Sequence, residues 1–164
     1  MAKHTQLTHD QLTILAEKWL KKQNCGVTFN DKFKALTTSG EQPDALGMRQ
    51  GASILVECKC SRQDYLIDAK KTFRMKPELG MGDWRFFLCP QGLIQPEELP
   101  SGWGLLWEVN GKVTEVKGVP SNIFWQSKKP FTGNKEVEFA MLYSATRKLT
   151  TLGLFNEIYK KKRK

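Results

Sequence analysis

The 164-residue sequence contains only two histidines, His4 and His9, and both lie near its beginning. This scarcity argues against Ser-His or Cys-His catalysis and against nucleases whose metal ion is held by histidines. The sequence has no glycine-rich phosphate-binding loop, which argues against an NTPase. No run of residues approaches the roughly 18 consecutive apolar positions of a membrane span, so we expect no membrane segment.

The sequence also lacks the apolar stretch of a signal peptide, since residues 1–12 read MAKHTQLTHDQL. Its four cysteines do not imply a disulfide scaffold in a chain of this length. We therefore expect a cytoplasmic protein with reduced cysteines. A zinc thiolate site would have to combine Cys25, Cys58, Cys60 and Cys89. The C-x-C spacing is shorter than the usual zinc-binding spacing, so burial of Cys58, Cys60 and Cys89 in strands is the better interpretation.

Positive charge is in excess, with a formal net charge of +9. Part of it lies in the terminal sequence KKKRK at 160–164 and part inside the chain, in DAKKTFRMK at 68–76. This balance favours polyanionic partners, with nucleic acid first and anionic membrane surfaces second. The predicted phosphate contacts are Lys70, Lys71, Arg74 and Lys76. The alternative is a solvated helix face on an ordinary basic protein.

The first part of the chain predicts a helix followed by a strand. Thr8 and Gln11 have the spacing of a capping box, and residues 12–20 place apolar side chains along one side of a helix. The sequence Asn-Cys-Gly at 24–26 predicts the end of this helix, and a strand is expected over 26–33.

The rest of the chain predicts strands and helices in alternation. Two strands flank a tight turn at Gln50-Gly51. Further along, we expect a basic helix over 62–75, a strand over 84–90, a hairpin over 102–118 that turns at Asn110-Gly111, and a helix over 136–161 that weakens at Gly153. This order predicts a single α/β domain over 1–159, with a mixed central sheet flanked by helices, and a basic tail over 160–164.

The sequence VECKC at 56–60 separates two kinds of side chain, because neighbouring residues of a strand point to opposite faces. Cys58 and Cys60 share the apolar face with Ile54 and Val56, whereas Leu55, Glu57 and Lys59 share the other face. A two-residue turn at Gln50-Gly51 pairs Leu46 with Leu55 and Asp44 with Glu57. Two carboxylates placed opposite each other in this way repel.

A divalent cation would relieve this repulsion, and carboxylate oxygens suit magnesium or manganese. A lysine beside such an ion can orient or deprotonate a water for attack on a phosphodiester, whose charge the ion would stabilise. The alternative is a surface Glu-Lys pair near an unrelated Asp44.

The Pro-Asp pair at 43–44 and the Glu-Cys-Lys sequence at 57–59 together resemble the PD-(D/E)XK nuclease superfamily. Their context resembles it too, since the acid starts one strand and the E-x-K sequence ends its antiparallel neighbour. Helices before and after this hairpin extend the likeness over residues 8–90. The resemblance implies a restriction-endonuclease-like fold. Size and motif spacing are similar to those of small Holliday-junction resolvases, and phage-type and restriction-type nucleases are equally compatible.

The resemblance implies a role for each matching residue. Asp44 and Glu57 would bind Mg or Mn together with the backbone carbonyl of Cys58, and Lys59 would position the attacking water. Glu17 matches the acid that the first helix of the superfamily often carries.

Gln63 lies where some members of the superfamily carry a polar helper residue. The function expected from these observations is a metal-dependent DNA endonuclease, with RNA left open as a substrate and structure-selective cleavage as one form. The alternatives are a basic nucleic-acid-binding module without turnover and a protein-interaction module. An enzyme that cuts both strands of a duplex would be expected, by analogy, to be a homodimer.

Overall fold

A computed structural model describes residues 7–162 of the chain. The helices are α1 (His9–Lys22), α2 (Arg62–Asp68), α3 (Thr72–Met75) and α4 (Lys135–Thr151). The strands are β1 (Val27–Asn30), β2 (Ala45–Arg49), β3 (Ala52–Cys58), β4 (Trp84–Pro90), β5 (Trp103–Val109) and β6 (Lys112–Lys117). Short 3-10 turns occupy Pro77–Leu79, Pro96–Glu98, Asn122–Phe124 and Phe155–Tyr159. The predicted α/β class is confirmed.

Helix α1 begins at the predicted capping box. The Thr8 side chain accepts a hydrogen bond from the backbone N–H of Gln11, and the Gln11 side chain accepts one from the backbone of Thr8. These two bonds satisfy N–H groups that have no partner within the helix. The apolar side of α1 is buried, and the helix ends at Lys22, followed by Asn24 with a positive φ of 61°. The capping pattern therefore sets where α1 enters the fold.

The six strands form one mixed sheet in the order β1-β2-β3-β4-β5-β6. Strands β3, β4 and β5 are parallel to their neighbours in this trio, and the other pairs are antiparallel. The β2–β3 register pairs Leu46 with Leu55, as the turn at Gln50-Gly51 predicts. The β5–β6 hairpin turns at Asn110 and Gly111, both with positive φ. Positive φ at both turn residues matches the right-handed twist of the strands.

Apolar side chains form a core on each face of the sheet. On one face, Ile54, Val56 and Cys58 of β3 pack in a cluster with α1. On the other face, Leu55 packs in a cluster that includes Tyr65 of α2 and residues of α4. The alternation of β3 therefore has the phase that the sequence predicts, and Glu57 lies on the face opposite to Cys58.

Several element boundaries differ from the prediction. The expected helix over 62–75 is two helices, because Lys71 adopts an extended conformation with ψ of 141° between them. The strand expected over 26–33 covers only Val27–Asn30. Helix α4 ends at Thr151, and Gly153 adopts a φ of 72°, so the predicted weak point is confirmed and the following segment is a 3-10 turn. Residues 163 and 164 of the predicted basic tail lie outside the described residues.

Across residues 7–162, no helix is both long enough and apolar enough to span a bilayer.

Candidate active site

The carboxylates of Asp44 and Glu57 lie at the same end of the β2–β3 hairpin. Asp44 immediately precedes β2, and its Oδ2 accepts a hydrogen bond from the backbone N–H of Cys58 at 2.8 Å. Glu57 is the penultimate residue of β3. The β2–β3 pairing ends at Ala45 and Val56, so the next residue outward on each strand is one of the two acids. The turn at Gln50-Gly51 therefore brings these two carboxylates together at the same end of β2 and β3.

Asp44 and Glu57 line a cleft of about 330 Å³ that lies between α1, the end of the β2–β3 hairpin and α2. Its lining residues are His9, Gln42, Asp44, Glu57, Cys58, Lys59, Asp64, Ile67, Asp68 and Lys71. A second cleft, of about 380 Å³, is lined by Ser39, Gly40, Gln42, Glu57, Lys71, Thr72 and Phe73. Gln42, Glu57 and Lys71 line both, so Glu57 sits where the two clefts meet.

Glu57 is 2% exposed, and its two carboxylate oxygens have different surroundings. Oε2 lies 3.3 Å from Nζ of Lys59 and 3.2 Å from Nη2 of Arg74. Oε1 is buried and has no hydrogen-bond partner among the described residues. Burial and the nearby charge of Asp44 raise the pKa of Glu57 to about 7. A buried acceptor without a partner is unfavourable by about 1–3 kcal/mol, so Oε1 is an acceptor that a cation or a hydrogen-bond donor would stabilise.

Lys59 is 5% exposed and remains a cation in this setting. Its Nζ lies 3.1 Å from Oδ1 of Asp68 and 3.3 Å from Oε2 of Glu57. Burial alone would lower the pKa of Lys59, but the charges of Glu57 and Asp68 outweigh it, and the pKa is raised above its usual value. Lys59 is therefore a fixed hydrogen-bond donor and does not act as a base near neutral pH.

Three residues that the sequence analysis did not assign correctly complete a buried ionic cluster. Arg74 donates to Oδ2 of Asp68 from Nε and to Oε1 of Glu41 from Nη1, each at 2.8 Å. Glu41 also accepts a hydrogen bond from the backbone N–H of Met81 at 2.7 Å. The charge of Arg74 and that of Lys59 lower the pKa of Asp68 to about 2, against the opposing effect of burial. The cluster therefore joins the 37–42 loop, β3, α2 and α3 around Glu57.

The predicted phosphate contacts divide into two groups. The Arg74 side chain is only 5% exposed and is held by three acids, so the structure does not support a phosphate contact for it. Lys70, Lys71 and Lys76 are exposed, and Lys71 lines both clefts. The Lys71 ammonium also lies 3.0 Å from Oδ1 of Asp68. Lys71 is therefore an exposed cation in direct contact with the ionic cluster.

Two other predicted site residues lie away from the cleft. Glu17 accepts hydrogen bonds from Thr28 at 3.0 Å and Asn30 at 2.9 Å, and it pairs with Lys21. These contacts tie α1 to β1, and Glu17 is not among the cleft-lining residues, so its position does not support the predicted catalytic role. Gln63 is exposed on α2 and also does not line the cleft.

His9 is the cleft residue that the sequence analysis set aside because of its position near the N-terminus. Its Nε2 lies 3.2 Å from Oδ1 of Asp44, and its Nδ1 lies 3.7 Å from Oδ2 of Asp31. The hydrogen bond with Asp44 raises the pKa of His9 against the opposing effect of partial burial. Within residues 7–162, His9, Asp10 and Asp31 also form a surface group whose ligand atoms could converge on a metal ion, as exposed acidic groups commonly do.

The cysteines belong to the scaffold. Cys58 is 3% exposed on the α1 face, and burial raises the pKa of its thiol, so it stays protonated. Cys25 and Cys89 are buried as well, and Cys60 lies past the end of β3 and is only partly buried, contrary to the expectation of burial within a strand. All four cysteines lie within the described residues and none forms a disulfide.

The fold and the cleft define an α/β protein with a six-stranded mixed sheet and an acid–lysine cluster at one end of its central hairpin. Among solved structures, the chain is similar to the SPO1766 protein of unknown function from Silicibacter pomeroyi. The TM-score is 0.53 at 23% sequence identity, and the match covers 89% of this chain and 92% of that chain. This likeness concerns the fold alone. No family model and no curated protein matches the chain.

Proposed function

We propose that the chain is a metal-dependent nuclease that hydrolyses phosphodiester bonds of DNA, and that its sheet and helices form a restriction-endonuclease-like fold. The observation that carries the proposal is the buried Oε1 of Glu57, which lacks a hydrogen-bond partner among the described residues and belongs to a side chain that lines the carboxylate-lined cleft. The order helix, antiparallel hairpin, helix and parallel strand supports the fold assignment.

In this proposal the hairpin end supplies the ligands. Oε1 of Glu57 and the carboxylate of Asp44 would hold Mg²⁺ or Mn²⁺ together with the carbonyl of Cys58, since hard cations prefer oxygen ligands. A bound divalent ion would lower the pKa of a water molecule and neutralise charge on the phosphate. The hydrogen bond from Cys58 N–H fixes Oδ2 of Asp44, and an ion bound at Oδ1 would compete with the contact from His9 Nε2.

Lys59 would act as a donor to the attacking water or to a phosphate oxygen. Its charge is retained because Asp68 and Glu57 both face it. Asp68 holds Nζ on the cleft side of β3, which fixes the direction in which Lys59 donates. Lys71 and the other exposed lysines of this region would contact neighbouring phosphates, in keeping with the net charge of +9.

One observation favours a second function, a nucleic-acid-binding module without turnover. Oε2 of Glu57 already contacts two cations of the chain itself, Lys59 and Arg74. These internal cations would make a metal unnecessary if they alone stabilised the carboxylate. The two functions differ in what they expect of Oε1, because only the nuclease gives this atom a ligand.

The test is a cleavage panel with supercoiled, linear, branched and single-stranded DNA and with RNA, in Mg²⁺, Mn²⁺ or chelator. The proposal expects metal-dependent cleavage by the wild type and none by Glu57→Ala or Lys59→Ala. A matched control is Glu115→Ala on β6, which removes an acid that bonds to Trp19 and Gln23 outside both clefts. Absence of cleavage of every substrate, with salt-sensitive binding retained, would select the binding module.

A further inference from the structure

Helix α4 is apolar on two opposite sides. Val137 and Met141 are fully buried in the core beneath it. Phe139 and Tyr143 are 69% and 56% exposed. At 100° per residue they lie about half a turn away from Val137. An ordinary surface helix carries polar residues on this outer side. We call the outer side the α4 stripe; its exposed apolar members are Phe139, Leu142, Tyr143 and Leu149.

The α4 stripe presents no charged group between Phe139 and Leu149. Thr146 and Thr150 share this side, but each donates its hydroxyl to a carbonyl of the helix, Leu142 at 2.7 Å and Thr146 at 3.1 Å. The rings of Phe139 and Tyr143 stack, with centroids 6.5 Å apart and planes at 10°. The two threonine hydroxyls are therefore satisfied within the helix, and the Tyr143 hydroxyl is the polar group that this side presents beside its apolar side chains.

The exposed apolar surface continues past the end of α4. The segment after Thr151 adds Leu152, Leu154, Ile158 and Tyr159, which are 60%, 48%, 61% and 73% exposed. Together with the α4 stripe these side chains expose on the order of 800 Å², and a stable interface of standard size buries about 800 Å² on each partner. Exposed apolar side chains in this number on one segment fit a protein interface.

We propose that a second copy of this chain covers the α4 stripe, with the two α4 helices packed antiparallel about a two-fold axis. A two-fold contact places the same surface on both partners, so the uncharged α4 stripe meets itself without opposing like charges at its centre. Glu136 and Arg147 flank the α4 stripe near its two ends on one side, and neither forms an ion pair within residues 7–162. Antiparallel packing about a two-fold axis keeps the flanking residues of both helices on one side of the contact and brings each Glu136 toward the partner's Arg147, whereas parallel packing places them on opposite sides.

Other occupants fit the α4 stripe less well. Nucleic acid is bound mainly through cations and hydrogen-bond donors to phosphate, and the α4 stripe offers no cation and only the Tyr143 hydroxyl as a donor. A membrane surface favours cations along the border of an amphipathic helix, and the border of the α4 stripe instead carries both an acid and a cation, Glu136 and Arg147. A dimer built in this way would leave both clefts available, because α4 contributes no residue to their linings.

The test is the molar mass of the full-length chain by sedimentation equilibrium over a wide concentration range. The proposal expects a dimer for the wild type and a monomer for Phe139→Glu and for Leu149→Glu, with unchanged circular dichroism. The matched control is Ile123→Glu, which places the same charge at a residue that is 76% exposed outside α4. This control should remain dimeric.

The orientation is tested by charge reversal. Arg147→Glu should weaken dimerisation a few-fold, and adding Glu136→Arg to it should restore the wild-type value, as for other exposed ion pairs. A wild type that is monomeric at every concentration overturns the proposal, as does a dimer that survives both stripe variants. Monomeric protein that instead sediments with anionic phospholipid vesicles, and loses this property in Phe139→Glu, would assign the α4 stripe to a membrane. None of these readouts depends on nuclease activity.

Discussion

Nη2 of Arg74 lies 3.2 Å from Oε2 of Glu57, and both side chains are at most 5% exposed. This contact joins α3, whose sequence is that of a solvated basic segment, to Glu57 at the end of the β2–β3 hairpin. Arg74 also contacts Asp68 and Glu41, so one guanidinium organises three buried carboxylates. The arrangement occupies one oxygen of Glu57 with cations of the chain and leaves the other without a hydrogen-bond partner among the described residues.

Asp68 should be important for stability, because it faces both Lys59 and Arg74 in the interior. Asp68→Asn leaves two buried cations short of a counter-charge, and removing one partner of a buried ion pair is destabilising by about 3–5 kcal/mol. Urea denaturation measures this loss. The control is Glu98→Gln, which breaks an exposed pair with Arg62 and should change stability by about 0–1 kcal/mol. Equal effects of the two substitutions would contradict the buried cluster.

Glu57 should make the metal-free protein less stable as the pH rises. Its pKa is raised to about 7 in the folded state by burial and by Asp44, so folding favours its protonated form. The stabilisation that comes from protonated Glu57 is fully present below a pH of about 4.5 and is lost as the pH rises through about 7. When unfolding is measured in chelator across this pH window, the free energy of unfolding of the wild type should fall by a few kcal/mol. The Glu57→Gln variant should not show this fall.

His9 also has a raised pKa, and its contribution is lost as the pH rises through its folded pKa. The comparison with Glu57→Gln separates the two, because His9 is present in both proteins. A stability difference between wild type and Glu57→Gln that does not vary with pH would show that Glu57 is ionised throughout this window.

The exposed lysines near the clefts should contribute to DNA affinity without sequence preference. Lys71→Gln and Lys76→Gln should each lower the slope of log affinity against log salt by about 1, because each removes one phosphate contact. Lys112→Gln on β6 removes the same charge far from the clefts and serves as the control. Filter binding or fluorescence anisotropy at several salt concentrations measures the slopes. Equal slopes for the three variants would contradict a phosphate track beside the clefts.

Cys58 should be dispensable for chemistry. Its side chain packs in the core on the α1 side of the sheet, away from Glu57. Cys58→Ala removes one buried sulfur and should reduce stability by about 1–2 kcal/mol through the space it leaves. Metal-dependent cleavage per folded molecule should stay at the wild-type level. A folded Cys58→Ala protein without activity would make the thiol itself a functional group.

The hairpin and the two faces of β3 could be predicted from the sequence because both depend on local rules. A two-residue turn sets the register of Leu46 with Leu55, and strand alternation then separates Cys58 from Glu57. The capping box of α1 and the turn at Asn110-Gly111 are local in the same sense, and each is confirmed.

The rest of the site depends on contacts between distant segments. Glu41 lies in a polar loop and Arg74 in a lysine-rich segment, so nothing in their own neighbourhoods indicates that they pair inside the protein. His9 reaches Asp44 only because the capping box places the first turn of α1 beside the hairpin end. Glu17 was assigned from the superfamily pattern, but hydrogen bonds with β1 hold it outside the cleft.

The most direct test of the account is a calorimetric titration of Mn²⁺ into the wild type and into Glu57→Gln, Asp44→Asn and Asp31→Asn. Asp31 belongs to the exposed surface group with His9 and Asp10, so its substitution separates that group from the cleft. The account predicts a single site in the wild type and in Asp31→Asn, and its loss in Glu57→Gln and in Asp44→Asn. Undiminished Mn²⁺ binding by Glu57→Gln, or no binding by the wild type, would contradict the claim that Oε1 of Glu57 is a metal ligand.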